Sequence, residues 1–174
     1  MNTATAVGTY VFGLVVVVLI GVVIRRMLGG WKHRAERQEQ LIGELPPMPD
    51  LLGQAEIAPT RGLYVGSTLG QNWLERINVG DLGYRAKATL TRYPEGILLE
   101  RTGAGPIWIP AGSVVGVRTE RALAGKVIAG RGTSQSPRAL LVIRWRLPSG
   151  TELDTGFRGE DRGDYARWTT GAAA

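Results

Sequence analysis

Three patterns of hydrophobic and polar positions follow one another along the chain of 174 residues. Residues 7–24, VGTYVFGLVVVVLIGVVI, form an apolar run without a charged side chain. Residues 29–45 are polar and helix-prone after their two glycines, and Pro46, Pro47 and Pro49 then end that pattern. From residue 61 onward, apolar and polar side chains alternate with a period of two, which predicts β-strands.

The apolar run predicts a membrane anchor, since 18 helical residues span about 27 Å, close to the thickness of a bilayer's hydrocarbon core. A core helix of a soluble protein is one alternative, but such a helix usually has a polar face. A cleaved signal peptide is another, and it carries positive charge before its apolar run. Here residues 1–6 carry none, whereas the basic residues that follow the run are Arg25, Arg26, Lys32, Arg34 and Arg37. This asymmetry predicts an uncleaved, single-pass protein of the cell membrane, with its N-terminus outside and its C-terminal part in the cytoplasm.

The same five basic residues are candidates for contact with the membrane surface, at about 1 kcal/mol for each charge near anionic lipid. The alternative is that they serve only as a topology signal. His33, the one histidine of the chain, lies within this segment and is interpreted as a solvated interfacial residue. The prolines that follow favour an extended linker.

Several stretches after residue 61 read as strands. One face of YRAKATLTRY, residues 84–93, carries the apolar side chains Tyr84, Ala86, Ala88 and Leu90. A Pro-Glu-Gly turn at residues 94–96 leads into the next strand. Strict alternation in residues 113–120, SVVGVRTE, would put Val115 and Val117 on the same face. The inward side chains of residues 139–147 are predicted to be Leu141, Ile143, Trp145 and Leu147.

The pattern adds up to seven strands and one short C-terminal helix, on which Tyr165 and Trp168 share a face. The Gly-, Ser- and Arg-rich residues 121–138 are interpreted as a loop. A mainly β, antiparallel sheet of this size has to protect its edges, which predicts a closed or nearly closed barrel with the helix over one open end.

The stretches LTRYPEGILLERTGAGPIWIP (residues 90–110) and GSVVGVRTE (residues 112–120) resemble bacterial domains of the pleckstrin-homology (PH)-like type. With the N-terminal anchor, RGLYVGSTL and VIRWRLPSGTELDTGF, nearly the whole chain is similar to actinobacterial single-pass membrane proteins with a PH-like domain. Those proteins are often labelled transport or export proteins. The resemblance implies a PH-like seven-stranded barrel capped by a C-terminal helix. It divides the chain into an anchor (1–28), a juxtamembrane helix and Pro-rich linker (29–58) and a cytoplasmic domain (59–174).

Catalysis is not expected from this sequence. The chain has no cysteine, the predicted domain has no histidine, and none of its serines stands in a GxSxG motif. Glu152 and Asp154 are interpreted as solvated strand carboxylates rather than as acid–base or cation-binding groups. The acids Glu160, Asp161 and Asp164 are interpreted as residues at the start of the C-terminal helix rather than as metal ligands. No catalytic, metal-binding or cofactor-binding residue is therefore predicted.

The formal charge of the chain is +6, which raises the question of nucleic acid. The basic residues are spread over many strands, however, and a membrane-tethered domain meets phospholipid first, so nucleic acid is not expected as a partner. Eukaryotic PH domains hold inositol phosphates with basic residues near the first two strands. The nearest equivalents here, Arg61, Arg85 and Lys87, are candidates for contact with a lipid headgroup or a partner, and the alternative is that they only solubilise the surface.

These observations predict a non-catalytic, membrane-anchored protein whose PH-like domain is a protein-interaction or scaffolding module. Two alternatives stay open: an accessory subunit of an export or transport system, and a module that binds anionic lipid. Membrane lipid and a protein partner are the expected partners.

Overall fold

The computed structural model describes residues 3–70, 75–120, 122–123, 126–127, 139–161 and 163–170. The chain divides into two compact units, Met1–Arg37 and Gln38–Ala174. The divisions expected at residues 28 and 58 remain predictions.

The N-terminal helix α1 spans Thr3–Ile42 and is 40 residues long. It continues through Gly29 and Gly30, so the expected juxtamembrane helix is part of the same element. The segment Tyr10–Met27, with a mean hydropathy of 2.2, is long and apolar enough to cross a membrane. Membrane anchors and signal sequences share this length and composition.

The strands that follow form mainly antiparallel β-structure. Their bounds in chain order are β1 Ile57–Leu69, β2 Ala86–Tyr93, β3 Gly96–Arg101, β4 Ile107–Pro110, β5 Val114–Glu120, β6 Ala122–Leu123, β7 Lys126–Val127, β8 Leu140–Arg146 and β9 Glu152–Gly159. Seven of them form one sheet in the order β4-β3-β2-β1-β9-β8-β5, while β6 and β7 form a separate hairpin. Helix α2, Tyr165–Thr170, ends the described chain. The predicted seven-stranded antiparallel sheet with a C-terminal helix is confirmed, whereas its closure into a barrel stays a prediction.

The first strand begins earlier than the sequence pattern indicates. The expected strand GLYVGST covers residues 62–68, but β1 starts at Ile57 and includes Pro59. The register between β1 and β2 shifts between Ile57 and Thr60. Proline has no N–H to donate to a neighbouring strand, so within a sheet it is tolerated at such an irregularity.

The main core lies on the inner face of the sheet, which we define as the face that carries the largest buried cluster. Leu141, Ile143 and Trp145 are fully buried there and Leu147 is nearly so, as predicted. Helix α2 contributes Tyr165 and Trp168 to the same cluster. The prediction for Tyr84 was wrong: β2 starts two residues later, at Ala86, and Tyr84 is 67% exposed.

The last turn of α1 belongs to the second compact unit. The Gln38 side-chain amide donates to the Arg76 carbonyl at 3.3 Å, and its oxygen accepts from the Asn78 N–H at 3.1 Å. Ile42 is only 2% exposed and lies in the main core. The residues from Gly43 to the start of β1 form neither helix nor strand, as the three prolines indicate.

A second, smaller cluster lies on the outer face of the sheet. Leu123 of β6 packs with Val65, Leu140 and Val142. A side chain at Gly156 would put its Cβ 2.4 Å from Leu123, so the glycine makes room for this contact. Most of the loop predicted over residues 121–138 lies outside the described residues.

Candidate interaction surfaces

Strand β5 forms one edge of the sheet and pairs, among the described strands, with β8 alone. All seven of its residues keep part of their surface exposed, and Val115 is 49% exposed. The register with β8 shifts between Val114 and Gly116. As a result Val114 and Val117, rather than Val115, pack against the main core. The strict alternation predicted for this strand was therefore wrong, because a β-bulge moves the side chains that follow it to the other face.

The opposite edge, β4, is less accessible to another strand. It has four residues, of which Ile107, Trp108 and Ile109 are buried, and it ends at Pro110. Short edge strands that carry proline resist pairing with a further strand. Of the two edges of this sheet, β5 is thus the longer and the less buried one among the described residues. Helix α2 contacts β5.

A groove of about 320 Å³ opens on the outer face, where β1, β2 and β3 meet the end of β9. Its charged lining residues are Arg61, Lys87, Glu100, Arg101 and Glu160. The groove thus brings together Arg61 and Lys87, two of the three candidates for headgroup or partner contact. Arg85 is exposed just before β2 and is not among the residues that line the groove.

The side chain of Arg101 lies on the inner face of the sheet, since Arg101 stands opposite Ala88, a residue of the main core, and it is held by groups of the domain itself. Its side chain is 1% exposed, and its Nε donates to the Gly105 carbonyl at 2.8 Å. A terminal nitrogen donates to the Asp81 carbonyl, and the guanidinium lies 5.1 Å from the centre of the Tyr64 ring. Burial lowers the pKa of Arg101, and the neighbouring Tyr64 and Asp81 act in the opposite direction. With its hydrogen bonds occupied in this way, the Arg101 guanidinium is not offered to a ligand in the groove.

The membrane-surface candidates lie on α1. Arg25 and Arg26 are exposed there. The side chains of Lys32, Arg34 and Arg37, and that of His33, lie outside what the structure describes.

An ion cluster on the outer face was missed by sequence reasoning. Asp154 is 3% exposed, not solvated as predicted. Arg144 donates to its two carboxylate oxygens at 2.9 and 2.7 Å, and Arg118 does so at 3.2 and 2.8 Å. Burial alone would raise the pKa of Asp154, but the hydrogen bonds from the two guanidinium groups outweigh burial and hold that pKa below its ordinary value. The cluster is therefore a cross-strand brace joining β5, β8 and β9.

Three buried hydroxyl groups, those of Tyr64, Ser67 and Thr155, form a hydrogen-bond chain inside the sheet. The Tyr64 hydroxyl lies 2.9 Å from the Ser67 hydroxyl and donates to the Leu82 carbonyl at 2.7 Å. Ser67 lies 3.0 Å from the Thr155 hydroxyl, to which Trp145 donates at 2.9 Å. Ser67 is fully buried and has no histidine or carboxylate beside it in this chain of bonds, so the arrangement has no activated nucleophile.

Three further carboxylates had been weighed as a cation site. Glu160 and Asp161 precede α2 and are exposed, and Asp164 forms an ion pair with Arg167. Of these acids only Asp164 adjoins α2, which starts at Tyr165, and its carbonyl accepts from the Arg167 N–H at 3.1 Å; Glu160 and Asp161 lie further from the helix. Among the described residues, no group of three or more histidine, cysteine, aspartate or glutamate side chains is arranged to hold a metal ion.

Seven antiparallel strands in one sheet, followed by a short C-terminal helix, are the arrangement of the PH-like class. The chain belongs to the Bacterial PH domain-like family, whose model matches residues 42–173. No curated protein and no solved structure matches the chain. Domains of this class are generally non-catalytic modules that bind proteins or lipids. The family match begins at Ile42, the residue of α1 that is buried in the core.

Proposed function

We propose that this protein is a membrane-anchored interaction module that binds an extended segment of a partner protein along the open edge of β5. The observation that carries the proposal is the contrast between the two edges of the sheet. β4 is short, buried and ended by proline, whereas β5 is seven residues long and keeps part of every residue's surface accessible. An exposed edge strand is a template for pairing with another strand.

Strand addition explains the composition of β5. The added segment would gain main-chain hydrogen bonds from the edge and specificity from the side chains beside it. Val115 offers an apolar contact of 49% exposure at the start of the strand, and Glu120 offers a carboxylate at its end. Arg118 and Glu120 also pair with each other at 2.9 Å. The surface therefore favours a partner segment that is apolar at one end and polar at the other.

The membrane location is part of the proposal. The segment Tyr10–Met27 has the length and hydropathy of a spanning helix, and the basic residues that follow it favour a cytoplasmic domain. Anchoring would confine the search for a partner to the membrane surface. An accessory role in export, which the resemblance raised, would make that partner a polytopic membrane protein.

The test uses the full chain in lipid nanodiscs and a library of extended peptides drawn from membrane proteins of the same cell. A peptide that binds by strand addition should protect the backbone amides of β5 from hydrogen exchange. Val115→Lys, which puts a charge on the edge, should weaken binding by about tenfold or more. Tyr84→Lys is the matched control, since Tyr84 is also an exposed apolar residue but lies before β2. Equal binding by the two variants, or protection elsewhere than in β5, would refute the proposal.

A further inference from the structure

The groove between Arg61 and Glu160 is lined by charges of both signs in a defined order. Arg61 of β1 lies opposite Thr89 of β2, which lies opposite Glu100 of β3. On the other side, the backbone N–H of Glu160 donates to the Arg61 carbonyl at 2.9 Å. One row across the sheet therefore carries four polar groups in order: the carboxylate of Glu160, the guanidinium of Arg61, the hydroxyl of Thr89 and the carboxylate of Glu100. Lys87 stands in the adjacent row, diagonal to Arg61.

These four charged groups are not paired with one another. Arg61, Lys87, Glu100 and Glu160 are all exposed, and none of them takes part in the ion pairs found within 4 Å among the described residues. The groove thus holds two cations and two carboxylates that face the same space and leave their hydrogen-bonding capacity to a ligand.

We infer that this groove is a binding site for a small zwitterion that carries a phosphate and an ammonium group, of the phosphoethanolamine type. The phosphate binds between Arg61 and Lys87, where the Thr89 hydroxyl can donate a further hydrogen bond. The ammonium group binds the carboxylate of Glu100 or of Glu160. The same chemistry occurs in a free phosphoethanolamine and in the headgroup of a phospholipid.

The charge arrangement argues against a purely anionic ligand. A phosphate that contacts Arg61 has the carboxylate of Glu160 on the adjacent strand position and that of Glu100 two strands away, and like charges repel even at a protein surface. An ammonium group attached to the phosphate turns this repulsion into attraction. The volume of about 320 Å³ is at the small end of the range for small-molecule sites, which suits a headgroup.

The inference does not depend on strand addition at β5, because the two surfaces use different residues. It is tested with the full chain in nanodiscs made of phosphatidylglycerol alone. O-phosphoethanolamine, inorganic phosphate and ethanolamine are titrated separately by calorimetry at constant ionic strength. Phosphoethanolamine should bind about tenfold or more tightly than either of the other two, because only it engages both kinds of charge.

Single substitutions separate the part of the site that binds phosphate from the part that binds the ammonium group. Lys87→Ala should weaken the binding of both phosphoethanolamine and phosphate. Glu100→Gln should weaken phosphoethanolamine by up to about tenfold while leaving phosphate unchanged or more tightly bound. Glu160→Gln is examined in the same way, since either carboxylate can take the ammonium group. Arg85→Ala is the matched control, an exposed cation next to the groove that should have no effect.

A second set of nanodiscs, containing phosphatidylethanolamine, distinguishes the source of the ligand. If the lipid headgroup reaches the groove, free phosphoethanolamine should bind with lower apparent affinity in these nanodiscs. Unchanged affinity identifies a free ligand instead. The inference is overturned if phosphate binds as tightly as phosphoethanolamine, or if both glutamine variants keep the wild-type ratio of the two affinities.

Discussion

The last turn of α1 gives the sharpest prediction about this domain: replacing Ile42 with alanine should destabilise the sheet that begins 15 residues later. Ile42 is 2% exposed and belongs to the main core. The turn is also fixed from outside the core, since the hydroxyls of Ser149 and Thr151 donate to the Leu41 carbonyl at 2.8 and 2.7 Å. The side chain therefore has little freedom to move when a neighbour changes.

The expected magnitude follows from the buried atoms. Ile42→Ala removes three carbons from the core, worth about 2.4 kcal/mol at about 0.8 kcal/mol for each buried carbon. The cavity that remains adds to this loss, and the better helix propensity of alanine offsets a few tenths of a kcal/mol. The free energy of unfolding should therefore fall by about 3 kcal/mol.

The assay is urea unfolding of a fragment containing residues 30–174, followed by tryptophan fluorescence. Trp145 and Trp168 are fully buried, so their emission reports loss of the core. At a slope of about 1.5 kcal/mol per molar urea, the midpoint should fall by about 2 M. Leu41→Ala is the control, because Leu41 is the neighbouring residue of the same turn and is 42% exposed. It should lower the free energy of unfolding by about 1 kcal/mol or less.

Equal destabilisation by the two alanine variants would refute the reasoning, since it would mean that Ile42 is no more buried than Leu41. A second comparison uses a fragment that begins at residue 59, the domain start expected from the sequence. This fragment lacks both Ile42 and the first two residues of β1. It should unfold at a lower urea concentration than the fragment beginning at residue 30. An unchanged midpoint would contradict the packing of the last turn of α1 against the domain.

Three further predictions concern stability. Gly62→Ala would place a Cβ 2.4 Å from the Arg158 carbonyl and should cost about 1–3 kcal/mol in urea unfolding, whereas Gly116→Ala, with nothing within 4 Å, should not. The pKa of Asp154 is lowered in the folded state. Its contribution to the free energy of unfolding is therefore present above the unfolded-state pKa and is lost as pH falls through the folded-state pKa. Asp154→Asn should flatten the acid part of a plot of unfolding free energy against pH, and an unaltered plot would count against the brace. Trp168→Ala should cost about 3–5 kcal/mol in thermal or urea unfolding, while the neighbouring exposed residue Arg167 should tolerate alanine within about 0.5 kcal/mol; similar losses at both positions would show that α2 does not seal the core.

The sequence by itself determined the features that depend on local periodicity. Alternation with a period of two placed Leu141, Ile143 and Trp145 on the inner face, and a spacing of three placed Tyr165 and Trp168 on one side of a helix. The apolar run predicted a helix at the N-terminus. These predictions succeed because the side-chain period of a strand or helix is a property of a few consecutive residues.

Only the tertiary structure decided which residues meet across strands. Arg144 and Asp154 are both polar positions of separate strands, and nothing local shows that they lie opposite each other in the register of β8 and β9. The bulge in β5 separated Val115 from the face of Val117, and the later start of β2 left Tyr84 outside the strand and exposed. The groove likewise exists because pairing aligns Arg61, Thr89 and Glu100, which are far apart in the chain. Register, bulges and burial arise from long-range packing, and for that reason the sequence pattern alone did not contain them.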